Sequence, residues 1–375
     1  MSRAEEYRRI EELLEIRARD HPRRVEPAWS ELLSAVDRLA ARLREAEPVE
    51  GTLPAFYERP VFVVGHRKTG TTLLQELLDG HPQLAVLPGE SNHFHTFLPQ
   101  VRHSPDLASE AQRWWLLRLV SPSGIPPFWA LGPPSATGAD PYLAFTARLT
   151  GLVAANPGRD PLGMAAAALS PAERLAWVEK TPGHEHRLDE ILAVYPQARF
   201  LHVVRDPRSV AAAIVRLDVA TDRPTDLVDV GLTIRRSLEA ADRNRAERYV
   251  VVRYEDLVAD PEAVMRGVAE FAGIDWSESL LTPTVGGVEA TSNSAWSARR
   301  VTGTIEGERL DLWREELDES AAALISAATR GPARRHGYEL PRPGTRQLAE
   351  VAERRARVML ASRRRPSPSA RARSS

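Results

Sequence analysis

The sequence predicts an α/β fold with a central, mainly parallel β-sheet and helices on both faces. Two apolar segments, 61–64 and 198–204, predict buried strands, and each leads through a polar turn into a helical pattern. The 375 residues, of which 43% are hydrophobic, suffice for a large core. Strands that alternate with helices pair in parallel, so their carboxyl ends meet at one edge of the sheet, where such folds bind ligands.

The turn after the first predicted strand has the composition of an anion-binding loop. Backbone N–H groups at the start of a helix have no intrahelical acceptor, and the helix dipole adds positive potential there. Lys68 adds a full positive charge, and threonine hydroxyls add hydrogen-bond donors. We therefore expect this turn to bind a phosphate-like group. The expected binding residues are Arg67, Lys68, Thr69, Gly70, Thr71 and Thr72.

The order of these residues separates the turn from the phosphate loop of nucleoside triphosphatases, which reads G-x-x-x-x-G-K-[ST]. Gly65 and Gly70 have that spacing, but Thr71 stands at the lysine position and Lys68 precedes the second glycine by two residues. The run 68–72 instead resembles the 5′-phosphosulfate loop of sulfotransferases that use 3′-phosphoadenylyl sulfate (PAPS). The resemblance implies a P-loop-like sheet and PAPS as donor. Because a phosphosulfate has too little charge to require magnesium, we expect no metal.

The second predicted strand ends at Arg205, where a ligand-binding residue is expected. In the sulfotransferase family an arginine here holds the 3′-phosphate of the donor, aided by a serine eight residues later. Arg205 matches this pattern, but position 213 is alanine. Our hypothesis is that Ser209, one helical turn earlier, or an arginine such as Arg208 replaces the missing serine.

Further segments resemble the same family over about residues 58–330. An E-K-T-P segment stands at 179–182, and residues 249–257 look like the family's third core strand and the helix after it. In a late segment other members place basic residues against the 3′-phosphate. The resemblance therefore makes Arg299 and Arg300 candidates for donor binding, with solvent-exposed arginines as the alternative.

The candidates for the general base follow the first predicted helix and are Glu90, His93 and His95. In sulfotransferases that modify sugars, a glutamate 22 residues after the loop lysine is the base, and the same count from Lys68 reaches Glu90. The branch that acts on small molecules uses a histidine from a later segment, after a lysine and a threonine, and we identify no such pattern here. We prefer Glu90 as the catalytic base, with His93 as the alternative.

The segment between the two donor motifs, about residues 91–178, is rich in aromatic residues and in proline-containing loops. Such a segment suits a wall and lid over an apolar hydroxylated acceptor, although any single aromatic residue is more simply explained by core packing. We expect a small-molecule or glycan acceptor. The sequence does not identify it further, and it does not fix the oligomeric state.

Composition sets the remaining expectations. The absence of cysteine excludes disulfides, cysteine-ligated zinc and a cysteine nucleophile. The charged first residues predict no secretory signal, and no apolar run is long enough to span a membrane, so we expect a cytoplasmic protein. No nucleic-acid partner is expected, although the formal net charge of −1 hides ten arginines against two acidic residues at 342–375.

The predicted organisation has three parts: an N-terminal helical extension at 1–50, a sulfotransferase domain at 51–340, and a basic helix with a disordered tail at 341–375. The predicted reaction is sulfuryl transfer from PAPS to a hydroxyl or amine. A nucleotide-dependent kinase is one alternative, and the position of Lys68 disfavours it. A non-catalytic relative that binds adenosine 3′,5′-bisphosphate is another, and Glu90 disfavours it because a binder needs no base.

Overall fold

The computed structural model describes residues 51–101, 106–107, 111, 141–170, 173–220, 222–244, 246–290, 303–305, 310–311 and 313–363. The predicted N-terminal extension and the tail beyond residue 363 lie outside the described residues. Arg299 and Arg300 lie outside them as well, as does the middle of the aromatic segment at 112–140.

The core of the fold is a sheet of five strands with the order β2-β3-β1-β4-β5, in which every neighbouring pair is parallel. The strands are β1 (Pro60–Val64), β2 (Leu84–Val86), β3 (Ala176–Lys180), β4 (Arg199–Val204) and β5 (Tyr249–Arg253). Two short strands, β6 (Thr284–Val285) and β7 (Val288–Glu289), form a separate antiparallel ribbon. The predicted α/β class with a mainly parallel central sheet is confirmed.

Helices fill the connections between the strands and continue after the sheet. In the described part of the chain they are α1 (Thr71–Leu78), α2 (Leu98–Val101), α3 (Pro141–Ala155), α4 (Pro161–Leu169), α5 (Leu188–Val194), α6 (Pro207–Ala220), α7 (Leu227–Arg243), α8 (Tyr254–Ala259), α9 (Pro261–Ala272), α10 (Trp313–Glu316), α11 (Glu319–Arg335) and α12 (Thr345–Arg363). None of these helices is long and apolar enough to cross a membrane.

The central strand β1 is buried along its whole length because helices cover both faces of the sheet. Successive side chains of a strand point to opposite faces. Phe62 therefore packs on the side that contains Trp177 and α4, whereas Val63 packs on the side that contains α1 and α9. This two-sided burial explains why β1 reads as an unbroken apolar run rather than an alternating one.

The strand order brings three loops together at one edge. Strand β1 pairs with β3 on one side and with β4 on the other. Because all three are parallel, the loops that follow them, at 65–70, 181–183 and 205–206, leave the sheet at the same edge. This edge is the ligand-binding edge expected for an open α/β sheet.

Candidate active site

The loop after β1 adopts a conformation that depends on left-handed backbone angles. Gly65 has φ +136° and Gly70 has φ +104°, and Lys68 reaches φ +70° although it carries a side chain. A Cβ on Gly70 would lie only 2.3 Å from the ring of Tyr254, so this position requires glycine. Gly70 is the N-cap of α1, and the amides of Thr71 and Thr72 have no acceptor among the described residues. The loop therefore offers free donors for an anion.

A buried carboxylate ties this loop to the rest of the edge. Oε2 of Glu185 accepts hydrogen bonds from the amide of Gly65 at 3.2 Å and from the amide of Gly183 at 2.8 Å. Its other oxygen accepts a hydrogen bond from Oγ of Ser237 at 2.7 Å. Burial alone raises the pKa of Glu185, but the nearby His202 and His186 and the hydrogen bond from Ser237 lower it on balance. The ionised carboxylate thus joins the loops that follow β1 and β3.

The hydroxyl of the first threonine of the loop makes its hydrogen bond within the loop itself. Oγ1 of Thr69 donates a hydrogen bond to the carbonyl of His66 at 2.7 Å, and the His66 ring in turn lies 3.0 Å from Oγ1 of Thr233 on α7. The hydroxyl of Thr69 therefore stabilises the turn, which leaves the hydroxyls of Thr71 and Thr72 as side-chain donors toward a ligand.

Lys68 lies in the loop with its side chain partly buried. Burial lowers the pKa of Lys68, and the positive charges of Arg67 and Lys180 lower it further, whereas the negative charge of Glu90 raises it. The three charged side chains of Lys68, Lys180 and Glu90 are therefore close enough to influence one another. A lysine with a lowered pKa is a better proton donor than a free lysine.

Arg205 lies against the same loop at the end of β4. Its side chain is 7% exposed, and its guanidinium carbon lies 4.2 Å above the ring of Tyr254. One nitrogen donates to the carbonyl of Lys68 at 3.4 Å, and its buried Nε has no partner among the described residues. A buried cation with an unused N–H requires an acceptor, and a phosphate oxygen would supply it.

The E-K-T segment at the end of β3 braces the stretch that contains the base candidates. The carboxylate of Glu179 accepts hydrogen bonds from Oγ of Ser91 and from Oγ1 of Thr181, both at 2.5 Å. Oγ1 of Thr181 also accepts a hydrogen bond from the amide of Asn92 at 3.0 Å. These buried contacts explain why residues 90–93, which follow a turn, hold a fixed position at the sheet edge.

The same segment orients Glu90. Nζ of Lys180 lies 3.0 Å from Oε1 of Glu90. The side chain of Lys180 is 4% exposed, whereas that of Glu90 is 45% exposed. The structure therefore brings Lys68, Lys180 and Glu90 to one region of the edge, with the carboxylate open to a ligand.

His93, the second base candidate, occupies a different environment. Its ring is fully buried, and Nε2 lies 2.8 Å from Oδ2 of Asp160. The other oxygen of Asp160 accepts hydrogen bonds from Tyr195 at 2.6 Å and from the amide of Leu162 at 3.0 Å. His93 thus belongs to a buried polar network that anchors α4.

The candidates for the missing serine have partners within the protein. Oγ of Ser209 donates its hydrogen bond to the carbonyl of Leu310 at 3.0 Å. The guanidinium of Arg208 pairs with Asp206 at 2.6 Å and lies 4.2 Å from the ring of Trp313. The hydroxyl proton of Ser209 is therefore engaged, and its proposed contact with a 3′-phosphate stays a prediction.

Three residues near the site were not singled out from the sequence. His184 follows Thr181 by three residues, and its buried ring lies 3.0 Å from the carboxylate of Glu179. The sequence signal for it is a histidine shortly after Lys180 and Thr181, a pattern that we did not identify from the sequence. Glu185 and Glu76 had no local signal, because only tertiary packing buries these carboxyl groups.

The aromatic segment contributes mainly to the core where the structure describes it. Phe94, Phe97, Phe145 and Trp177 are each at most 1% exposed. These four side chains support the sheet and are not available as an acceptor surface. Within the described ranges, no group of three or more histidine and acidic side chains is placed to hold a metal ion.

Comparison with known proteins points to one family. A family model described as the sulfotransferase family matches residues 60–278. An omega-hydroxy-beta-dihydromenaquinone-9 sulfotransferase from Mycobacterium tuberculosis is 29% identical over 272 residues, which cover 59% of this chain and 64% of that relative. This chain thus matches less than two thirds of the mycobacterial protein.

Two further similarities are more distant. Protein-tyrosine sulfotransferase A from Caenorhabditis elegans is 23% identical over 288 residues, or 74% of this chain and 67% of that protein. The solved sulfotransferase domain of the Synechococcus PCC 7002 olefin synthase is 23% identical, with a TM-score of 0.47. The alignment covers 79% of this chain and all of that domain.

Proposed function

We propose, from the premise that this chain belongs to the sulfotransferase family, that it transfers a sulfuryl group from PAPS to a hydroxyl or amine. The product from the donor would be adenosine 3′,5′-bisphosphate. The observation that carries the proposal is the meeting of an amide-rich loop, Lys68, Arg205 and Glu90 at the carboxyl edge of one parallel sheet.

The described residues fit the two charged ends of such a donor. The free amides of Gly70, Thr71 and Thr72 at the start of α1 suit the phosphosulfate. Arg205, with its unused Nε, suits the 3′-phosphate. Positioning and charge neutralisation of this kind suffice for the transfer, because little covalent work falls to the protein.

The chemistry then requires two proton-handling side chains. As the acceptor oxygen or nitrogen bonds to sulfur, the bond between sulfur and the phosphate oxygen breaks, and negative charge collects on that oxygen. Lys68, whose burial lowers its pKa, neutralises this oxygen and donates a proton to it. Glu90 accepts the proton that the acceptor loses.

Exposure supports Glu90 over His93 as the base. A base must reach the proton that it removes, and the half-exposed carboxylate of Glu90 opens toward the edge beside Lys180. The His93 ring is fully buried, and Asp160 holds it through a hydrogen bond of 2.8 Å. His93 is then a structural residue that fixes the segment after Glu90.

For the acceptor, the relatives support only a chemical class and not a particular compound. One relative is named for a hydroxylated menaquinone, which is apolar, and another for protein tyrosine. Both names denote acceptors with a hydroxyl group. We propose a hydroxylated small molecule for this chain, with a glycan as the alternative.

Thermal unfolding with added nucleotides tests the donor class. We expect adenosine 3′,5′-bisphosphate to raise Tm strongly without magnesium, and ATP to raise it little. A preferential, magnesium-dependent rise with ATP would overturn the proposal in favour of a kinase. Incubation with labelled PAPS and candidate acceptors then tests catalysis, and tight bisphosphate binding without any labelled product would indicate a non-catalytic binder.

A further inference from the structure

A small cavity at the amino ends of three strands is lined by arginines. It has a volume of about 70 Å³ and contacts Arg59, just before β1, Arg199, at the start of β4, and Arg248, just before β5. In a parallel sheet these ends lie opposite the carboxyl ends that carry the donor loop. A strand of five residues spans roughly 16 Å, so this arginine cavity is separate from the candidate active site.

The three guanidinium groups have no carboxylate partner among the residues that the structure describes. Arg199 donates one hydrogen bond to the carbonyl of Phe271, and Arg248 donates one to the carbonyl of Pro196 at 2.5 Å. Arg59 makes no side-chain hydrogen bond to a described residue. Since each guanidinium carries five N–H donors, most of the donors around the cavity remain available.

Two of these charges lie side by side at the carboxyl end of α9. Nη2 of Arg59 and Nη1 of Arg199 are each 3.1 Å from the position that a Cβ on Gly273 would occupy. The helix dipole at this end offsets about half of one elementary charge. The helix end therefore does not neutralise two cations, and Arg248 adds a third. A small anion would relieve this repulsion.

We propose that the arginine cavity binds a tetrahedral oxyanion, either inorganic phosphate or sulfate, or the phosphate of a small ester. One water needs only about 10–15 Å³ of such space, so the cavity has room for a group of a few heavy atoms but not for a nucleotide. Guanidinium groups match the paired oxygens of phosphate in a fork geometry. The side chain of Gln197 at the rim adds a further amide.

Equilibrium dialysis with labelled inorganic phosphate tests this site at constant ionic strength in potassium chloride. The background variant is Lys68→Ala/Arg205→Gln, in which the donor loop is weakened, and we expect it to keep one bound phosphate per chain. Adding Arg59→Gln and Arg248→Gln should weaken that binding at least tenfold. Arg357→Gln, an exposed arginine on α12, should leave it unchanged.

The outcomes separate the sources of the anion. Displacement of the label by glycerol 3-phosphate would assign the site to phosphate esters, whereas displacement by sulfate alone would assign it to free ions. Failure of both competitors would assign the site to inorganic phosphate. Absence of bound phosphate in the background variant, or unchanged binding after the two glutamine substitutions, would overturn the proposal. If the combined variant does not fold, Arg248→Gln is introduced alone into the background variant, because this exposed residue is not needed for the core. We then expect a threefold loss of phosphate affinity, and an unchanged affinity would overturn the proposal.

Discussion

Nζ of Lys180 lies 3.0 Å from Oε1 of Glu90, and the lysine is buried whereas the glutamate is half exposed. The pair joins the end of β3 to the stretch that follows β2, two segments 90 residues apart in the chain. An exposed ion pair contributes little because both side chains must be ordered. Here the buried lysine is already fixed, so it orients the carboxylate toward the ligand edge.

The first prediction separates the two base candidates. Glu90→Gln should lower kcat by roughly 10² to 10⁴, the usual contribution of a general base, and should leave bisphosphate affinity within threefold. His93→Asn should instead lower stability, because it disrupts the contact with buried Asp160, and the folded fraction should keep near-native turnover. Steady-state kinetics and urea unfolding of both variants measure these effects. A fully folded His93→Asn protein without activity would assign the base to His93.

The second prediction concerns the loop lysine. Lys68→Ala should lower kcat by roughly 10² to 10³, since one group that stabilises transition-state charge is removed. The amides of the loop remain, so bisphosphate should still bind. Because Lys68 has φ +70°, Lys68→Gly serves as a matched variant that relieves backbone strain while it also removes the charge. Equal losses in both variants are expected, and retained turnover in Lys68→Gly would contradict the role of the charge.

The third prediction distinguishes two roles for Ser209. As a 3′-phosphate donor it would be needed for bisphosphate affinity, and Ser209→Ala would weaken binding roughly tenfold or more. As the partner of the Leu310 carbonyl it would affect stability by about 1 kcal/mol and affinity little. We expect the second result, because a hydroxyl has one proton and Leu310 accepts it.

Calorimetry with adenosine 3′,5′-bisphosphate measures the affinity of Ser209→Ala, and adenosine 5′-monophosphate, which lacks the 3′-phosphate, is the control ligand. Ala213→Ser tests whether the site accepts the serine that other family members have. If Ser209 contributes nothing to 3′-phosphate binding, this second variant should tighten binding of the bisphosphate alone. A tenfold loss of bisphosphate affinity in Ser209→Ala, with unchanged affinity for the monophosphate, would show that Ser209 binds the 3′-phosphate.

The fourth prediction concerns pH and stability. Glu76 on α1 is 6% exposed, and its Oε1 has no partner among the described residues. Burial raises the pKa of Glu76 from 4.5 to about 7, and the charge of Lys180 opposes this shift. Between these values the folded state keeps a proton that the unfolded state releases. The contribution of Glu76 to the free energy of unfolding should therefore fall as pH rises through this window, by on the order of 3 kcal/mol.

Urea unfolding at about pH 5 and about pH 8 measures this effect. Glu76→Gln should remove this contribution, so that the variant gains stability relative to the native protein at the higher pH. Glu262→Gln is a matched control on α9, since Glu262 is exposed and paired with Arg266. An identical pH dependence in the native protein and in Glu76→Gln would contradict the buried, protonated state of Glu76.

The parts of the fold that the sequence predicts are those that local patterns determine. Strand β1 is a continuous apolar run because the sheet buries both of its faces, and β4 is mostly apolar for the same reason, with His202 as a buried polar exception. The turn after β1 carries its own glycines and lysine. No local sequence pattern predicts the hydrogen bonds through which Glu185 joins the loops after β1 and β3. Glu185 lies 120 residues from Gly65, and its role depends on the strand order that brings the two loops together. His93 illustrates the same point, because only the packing of α4 places Asp160 beside it.

The ring of Tyr254 serves two neighbours at once. It fills the space beside Gly70 that a Cβ would need, and the guanidinium of Arg205 stacks on it at 4.2 Å. The loop suited to the sulfate end of the donor and the arginine suited to its 3′-phosphate therefore both contact the ring of Tyr254. Substitutions at the two ends should then be thermodynamically coupled, with a double-mutant cycle between them giving a non-zero interaction energy. A ligand that occupies one end would pre-organise the other, so the site would discriminate complete donors from fragments more sharply than two independent subsites could.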